Sequence, residues 1–218
     1  MAGRTRRRDE RASSTREVLL TEAERLFAER GVHAVTHRQI SEAAGQGNIA
    51  AVNYHFGTKA DLVRAIAHRH GEQIERRRVG MVAALGDSTE LRSWVACLVR
   101  PVTEHLDALG SPTWYARFAA QIMADPTLYA IVVEESLAMA PSLRYYEDGL
   151  ARCLPGLPTE VIVERAVMAR HLTVQMCVER ERALADATPT YRLSWDDSST
   201  ALIDAIVSLW RTPLEPEV

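Results

Sequence analysis

The spacing of apolar positions has the period of a helix along nearly the whole chain. Leu19, Ala23, Leu26 and Phe27 recur at i, i+4, i+7 and i+8, predicting a helix from Ser14 or Thr15 to about Arg30, ended by Gly31. Ile40, Ala43 and Ala44 form one buried face of a very short helix, opened by Thr36 with Gln39 three residues on, the spacing of a capping box. Gly45-Gln46-Gly47 supplies a turn able to reach positive φ, and Asn48 is a good N-cap for a second short helix, Ile49 to Phe56. In that helix Ile49, Val52 and Phe56 share one side and Ala50, Ala51, Tyr54 and His55 the other, with Asn53 at the boundary. Two short helices joined by a Gly-containing turn read as a helix-turn-helix.

The helical period continues to the end. From Thr58 to about Leu85 one face carries Val63, Ile66, His70, Ile74, Met81 and Leu85; His70 reads as a hydrogen-bonded interface residue and the run Arg76-Arg77-Arg78 as solvated surface. Further helices are expected from Ser88 to Ala108 with a kink at Pro101, from Thr113 to Ala124, and from Pro126 to about Cys153, bent or split at Pro141. Pro155-Gly156-Leu157-Pro158 breaks the chain before two last helices, Thr159 to about Ala187 and Asp197 to Arg211. No strand alternation of any length occurs. The expected fold is all-α: a three-helix N-terminal domain over residues 14–70, a helix shared across the boundary, and a helical domain over residues 71–218. Residues 1–13, rich in Arg and with almost nothing to bury, are expected to be a disordered basic arm able to touch phosphate or the minor groove.

Both final helices are apolar on more than one side. Val161, Ile162, Val163, Val167, Met168, Leu172, Val174, Met176, Cys177 and Val178 cover most of the first; Leu202, Ile203, Ile206, Val207, Leu209 and Trp210 spread around the second. Such helices must be covered on two sides, by their own domain and by a second copy or by a large core.

Charge changes the picture only through its distribution. Net charge is −3, yet residues 1–70 hold 12 Lys+Arg against 8 Asp+Glu, whereas residues 71–218 hold 14 against 21. A positive head on a negative body suits local phosphate binding by one end. The exposed face of the second short helix supplies matching chemistry. Ala50 and Ala51 are small enough for the backbone to come close to a partner, and Asn53, Tyr54, His55 and Lys59 follow. This suits a helix entering the major groove N-terminus first, with Tyr and Lys on phosphate oxygens. Thr36, Arg38, Gln39, Gln46 and Asn48 complete the candidate face. Cys97, Cys153 and Cys177 are widely spaced in apolar surroundings and read as buried small hydrophobes. No His, Cys or carboxylate spacing suggests a metal or cofactor, no catalytic set recurs at a usable spacing, and no apolar run reaches the ~18 residues of a membrane span. A cytoplasmic, non-enzymatic protein is expected, the alternatives being a helical enzyme or a protein-binding adaptor.

The stretch AAGQGNIAAVNYHFGTKADL resembles the end of the DNA-binding domain of TetR-family transcriptional regulators, usually A-G-V-S-x-x-x-x-Y-x-H-F-x-x-K-x-x-L. The resemblance spans roughly residues 12–70. Two departures stand out: the turn Gly45-Asn48 is one residue longer, and Asn48 and Asn53 replace the usual Ser and first Tyr. The resemblance implies a homodimer formed through the last two long helices, a pseudo-palindromic duplex DNA operator, and a C-terminal pocket whose small-molecule occupant lowers operator affinity. Candidates for that pocket are Trp94, His105, Trp114, Phe118, Met123, His171 and Gln175. The pairs Trp114/Phe118 and His171/Gln175, each at i, i+4, would face one another around a mostly apolar ligand with one or two polar groups; plain core is the alternative for each.

Overall fold

The computed structural model describes residues 2–48 and 50–214, with side chains over 13–48, 50–134 and 140–214. Among these are ten helices and no strand: α1 Ala2–Arg30, α2 His37–Ala43, α3 Ala51–Phe56, α4 Lys59–Leu85, α5 Leu91–Leu109, α6 Tyr115–Ala124, α7 Pro126–Met139, α8 Ser142–Cys153, α9 Thr159–Ala185 and α10 Trp195–Arg211. None is long and apolar enough to cross a membrane among the described residues.

Local chemistry sets several boundaries. Thr36 with Gln39, Thr58 with Asp61 and Ser194 with Asp197 form reciprocal capping boxes at α2, α4 and α10, each worth about 1 kcal/mol. Pro141 splits the helix expected through residue 153: α7 ends at Met139, and α8 starts after Pro141, which sits at its N-cap. The first helix differs from expectation. It begins at Ala2, so residues 2–13 of the expected arm continue α1 along the backbone instead of standing apart from it. Arg, Ala and Glu are good helix formers and no Pro interrupts them, so the possible cap at Ser14 is passed through.

Two main cores result. Leu19, Ala23, Phe27, Val35, Ile40, Val52, Leu62 and Ile66 bury the inner faces of α1–α4, and Phe118, Ile122 and Leu128 from α6 and α7 complete that core. The N-terminal head is therefore welded to the body through α6 and α7 as well as through the shared α4. A second core joins α5, α8 and α10 around Trp94, Val95, Leu150, Ile206 and Trp210. Most of the apolar residues of α10 are buried there. In contrast α9 leaves Val163, Val167, Met168 and Met176 exposed.

Besides Glu24 at the seam of α1 and α4, two buried carboxylates tie distant helices together, and the first of them is Glu75 on α4. It accepts from the Ser142 amide at 3.0 Å and from Ser142 Oγ at 2.6 Å, capping α8. It also pairs with Arg78 at 3.2 Å. Arg78 donates as well to the Cys97 carbonyl, 3.2 Å away, and is buried, which corrects its expected place on a solvated surface. Its stem and head fill the α4–α5 interface because Glu75, one turn before it, is there to meet the charge. The second is Glu181 on α9, which accepts from the first amides of α6.

Candidate nucleic-acid interface and effector cavities

The helix-turn-helix is built from short-range bonds. After α2, Gly45 takes φ +65° and the Gln46 amide donates to Ser41 O at 2.9 Å, reversing the chain. Asn48 Oδ1 then accepts from the Ala50 amide at 3.0 Å, and Asn48 O from the Ala51 amide at 3.0 Å. Asn48 thus shapes the turn, while Ala50 occupies the N-cap of a helix starting two residues later than expected. Ile49, assigned to that helix on pattern, lies outside the described residues. Gly57 at φ +81° ends α3 and lets Thr58 open α4 immediately.

On α3, Val52 is fully buried and Ala51 nearly so, at 7 % exposure. This corrects the expected place of Ala51 on the outer face beside Ala50. Ala51 stands one step, about 100°, from Val52, and the first turn of α3 packs inward, so this flanking position is buried with it. An Ala51→Gln chain should consequently lose stability, by about 1–3 kcal/mol from overpacking, without a change in base preference. Denaturant unfolding of the two proteins checks this.

The outer face retains Ala50, Asn53 and Tyr54, with His55 half-buried; Tyr54 is 80 % exposed and meets His55 edge-on at 5.1 Å between ring centroids. His37 Nδ1, from the start of α2, donates to Asn53 Oδ1. That brace fixes the Asn53 amide with its NH2 pointing away from the bond, and sequence reading missed it. A His directly after the capping Thr was the available signal. Arg38 is exposed and paired with Glu42 at 2.7 Å; Gln39 is taken up by the capping box, and the Gln46 amide donates to Ala44 O at 3.2 Å. Lys59 Nζ donates to the His33 carbonyl at 3.2 Å, and His33 Nε2 meets Asp125 Oδ2 at 2.6 Å. That chain of contacts ties the α1–α2 loop to both α4 and α7, so Lys59 positions the head besides offering charge to its surface.

The candidate ligand residues are dispersed. Trp94, with its indole N–H on Ser88 O at 2.7 Å, borders a cavity of about 490 Å³ between α4, α5 and α8. His105 and Trp114 line a cleft of about 410 Å³ between α1, α4, α5 and α6. Phe118 stacks on Phe27 at 6.4 Å within the core of the head, and Met123 is half-buried beyond the cavities found. His171 and Gln175 are exposed on α9, on the same stripe as Val163 and Val167. The aromatic pair and the His/Gln pair do not face one another. At i, i+4 both members of a pair share a helix face, yet α6 turns that face toward α1 and α9 turns its own toward solvent.

At the seam between head and body, buried His70 is held by Glu24 at 2.8 Å and by His105 at 2.7 Å, and Tyr115 stacks on its ring at 4.0 Å. This is the interface role the sequence assigns to His70. Burial alone would raise the Glu24 carboxyl, but the bond from His70 and the charges of His70 and Arg69 bring it below the ordinary value. Burial, with the nearby charges of His70 and Arg77, pushes His105 down to about 4, leaving it neutral in the physiological range. The cysteine thiols are similarly passive: burial raises Cys97 to about 11 and Cys177 to about 12. Among the described residues no group of three His, Cys, Asp or Glu could hold a metal.

Comparison with known proteins agrees with this geometry. Residues 19–66 match the model of the family described as bacterial regulatory proteins, tetR family. The fold resembles that of the TetR-family regulator PfmR from Thermus thermophilus, at TM-score 0.54 and 16% identity over 90% of this chain and 99% of that one. It also resembles the multidrug binding protein EbrR complexed with imidazole, at TM-score 0.50 and 20% identity over 92% of each chain. A third likeness is to an HlyIIR mutant with a linker in place of residues 169–186 of that protein, at TM-score 0.50 and 15% identity over 88% and 95%. No curated protein sequence matches. Residues 19–66 are therefore similar to bacterial regulatory proteins of the tetR family, and the chain as a whole has the fold of the TetR-family regulator PfmR.

Proposed function

We propose that this protein is a homodimeric, sequence-specific DNA-binding repressor that a small, mostly apolar ligand releases from its operator. The observation carrying the DNA reading is the two-sidedness of α3. Val52 is locked at 0 % exposure while Tyr54, two residues on, stands 80 % exposed beside the braced Asn53 amide. A six-residue helix anchored so firmly on one side, with hydrogen-bonding groups on the other, suits insertion into a major groove. There Asn53 can read adenine, and Tyr54 and Lys59 can meet phosphate. Arg38, Gln46 and Asn48 border the same face.

Pairing is supported by α9, whose Val163, Val167 and Met168 form an uncovered apolar stripe with His171 and Gln175 beside them. A second copy packed there would set two heads about 34 Å apart, one turn of duplex, and so demand a pseudo-palindrome. Release by ligand requires that the occupant favour a head spacing that no longer matches that turn. The EbrR structure with imidazole, of like fold, has a small molecule held by such a protein.

Selection of bound sequences from random duplex DNA tests the reading directly; a pool that never converges would end it. Within the selected site, Asn53→Ala should reduce discrimination at one base pair by about 1–3 kcal/mol. Lys59→Ala should weaken binding to every sequence and lower the salt slope by about 1. Fluorescence anisotropy over a range of salt separates the two patterns. Val167→Glu should convert dimer to monomer in sedimentation and cost more than roughly tenfold in operator affinity.

A further inference from the structure

The cleft between α1, α4, α5 and α6 joins residues of the head, Thr21 and Glu24, to residues of the body, His105 and Trp114. One side is apolar: Trp114, Pro112 and Leu109, the last 43 % exposed at the rim. The other side offers donors. The Gln73 side chain, the Trp114 indole N–H and the Nδ1 edge of His105 have no hydrogen-bond partner among the described residues, and Arg69 adds positive charge.

The buried line Glu24, His70, His105 shows one of two faces to the cleft, according to the protons on its two rings. With both rings neutral, His70 Nε2–H donates to Glu24, so its Nδ1 must accept from His105 Nε2–H; His105 then shows a bare Nδ1 lone pair to the cleft. With one more proton on the pair, whichever ring holds it, His105 shows an Nδ1–H donor instead. An anion bound at His105 Nδ1 therefore selects the form of the His70–His105 pair that carries one more proton.

We propose that this cleft binds a small aromatic carboxylate, its ring against Trp114 and its carboxylate accepting from His105 Nδ1–H and Gln73, and that binding takes up one proton on the His70–His105 pair. The charged and titratable groups facing His70 are Glu24 from α1, Arg69 on its own helix, His105 from α5 and Tyr115 from α6, with Arg77 and Arg78 nearby. The resulting imidazolium strengthens the tie between α1 and α5, fixing the head against the body. That last consequence for operator binding rests on the ligand-governed repressor reading; the binding does not.

Calorimetric titration of the full-length protein with sodium benzoate, in the absence of DNA, tests the site. The heat should depend on the buffer's ionisation enthalpy as uptake of about one proton requires. Affinity should fall about tenfold per pH unit once the pair must take up that proton on binding. Acetate and inorganic phosphate, lacking a ring, should bind at least roughly tenfold more weakly. His105→Leu should abolish the proton uptake. Gln73→Ala, at a half-buried position, should weaken benzoate several-fold. No benzoate heat at about pH 6, binding without proton uptake, or phosphate binding as tightly as benzoate would each overturn the proposal. Benzoate binding that leaves operator affinity unchanged would keep the site and remove its link to release.

Discussion

Gly149→Ala is expected to destabilise the body by about 2 kcal/mol. A Cβ on this α8 residue would lie 2.4 Å from Cη2 and Cζ2 of Trp94, far inside van der Waals contact. Two effects compete. Replacing Gly by Ala within a helix gains about 1 kcal/mol, whereas forcing an extra carbon into a filled core costs about 1–3 kcal/mol and occasionally more. Overpacking wins here because the obstructing atoms belong to a rigid ring with little room to give. Trp94 is 1 % exposed, its indole N–H is committed to Ser88 O at 2.7 Å, and Arg152 lies over its face at 5.5 Å. Moving the ring forfeits that bond and disturbs Val95 and Leu150 in the same core. Thermal unfolding should show a midpoint lowered by roughly 4–8 °C. Adding Trp94→Leu should recover part of the loss, giving a coupling of about 1 kcal/mol between neighbouring sites. Simple additivity of the two changes would mean that the ring is not what the new carbon meets.

That glycine also shows where reading a sequence stops. Helical period, the capping box at Thr36 and the breaks at Pro141 and Pro155 are legible because each depends on residues within a turn or two of one another. The helix-turn-helix is legible for the same reason, down to the buried Ile40 and Val52 and the exposed Tyr54. Ala51 is misplaced by pattern because helical phase gives the angle between positions, not how far the neighbouring helices reach around them, and the first turn of α3 is covered. Trp114, Phe118, His171 and Gln175 pair by a rule that fixes faces, not what those faces meet; Phe118 lies in the core of the head and His171 in solvent. Arg78 looks like surface because a charge run on a helix usually is. The polar ties that organise the body are invisible in the sequence, since Glu24 to His70, Glu75 to Ser142 and Glu181 to Ala116 span 46, 67 and 65 residues. Nothing local marks which carboxylates on a helix will be buried.

Glu181→Leu should be the most damaging single change, by about 3–5 kcal/mol. Helix α6 starts at Tyr115 with no side-chain cap of its own, so its first amides need an outside acceptor. Glu181, on α9 and only 1 % exposed as a side chain, supplies it: the carboxylate accepts from the Ala116 amide at 3.0 Å, the Arg117 amide at 3.1 Å, Thr113 Oγ1 at 2.8 Å and Arg117 Nε at 2.9 Å. Leu fills the space but accepts nothing, leaving two backbone donors, a hydroxyl and a largely buried guanidinium unmet. Removing Arg117 as well would spare only the guanidinium, so Glu181→Leu with Arg117→Leu should remain well below the parent in stability. Glu181→Gln keeps one acceptor oxygen and should fall between. The effect reaches beyond stability, because α6 carries Phe118 into the core of the head and Trp114 into the seam cleft, while α9 carries the uncovered stripe. Hydrogen exchange should therefore show the amides of residues 115–119 losing protection first in Glu181→Gln, ahead of those in α10. Full protection of those amides, or a Leu variant within about 1 kcal/mol of the parent, would mean that this carboxylate is not what holds α6 against α9.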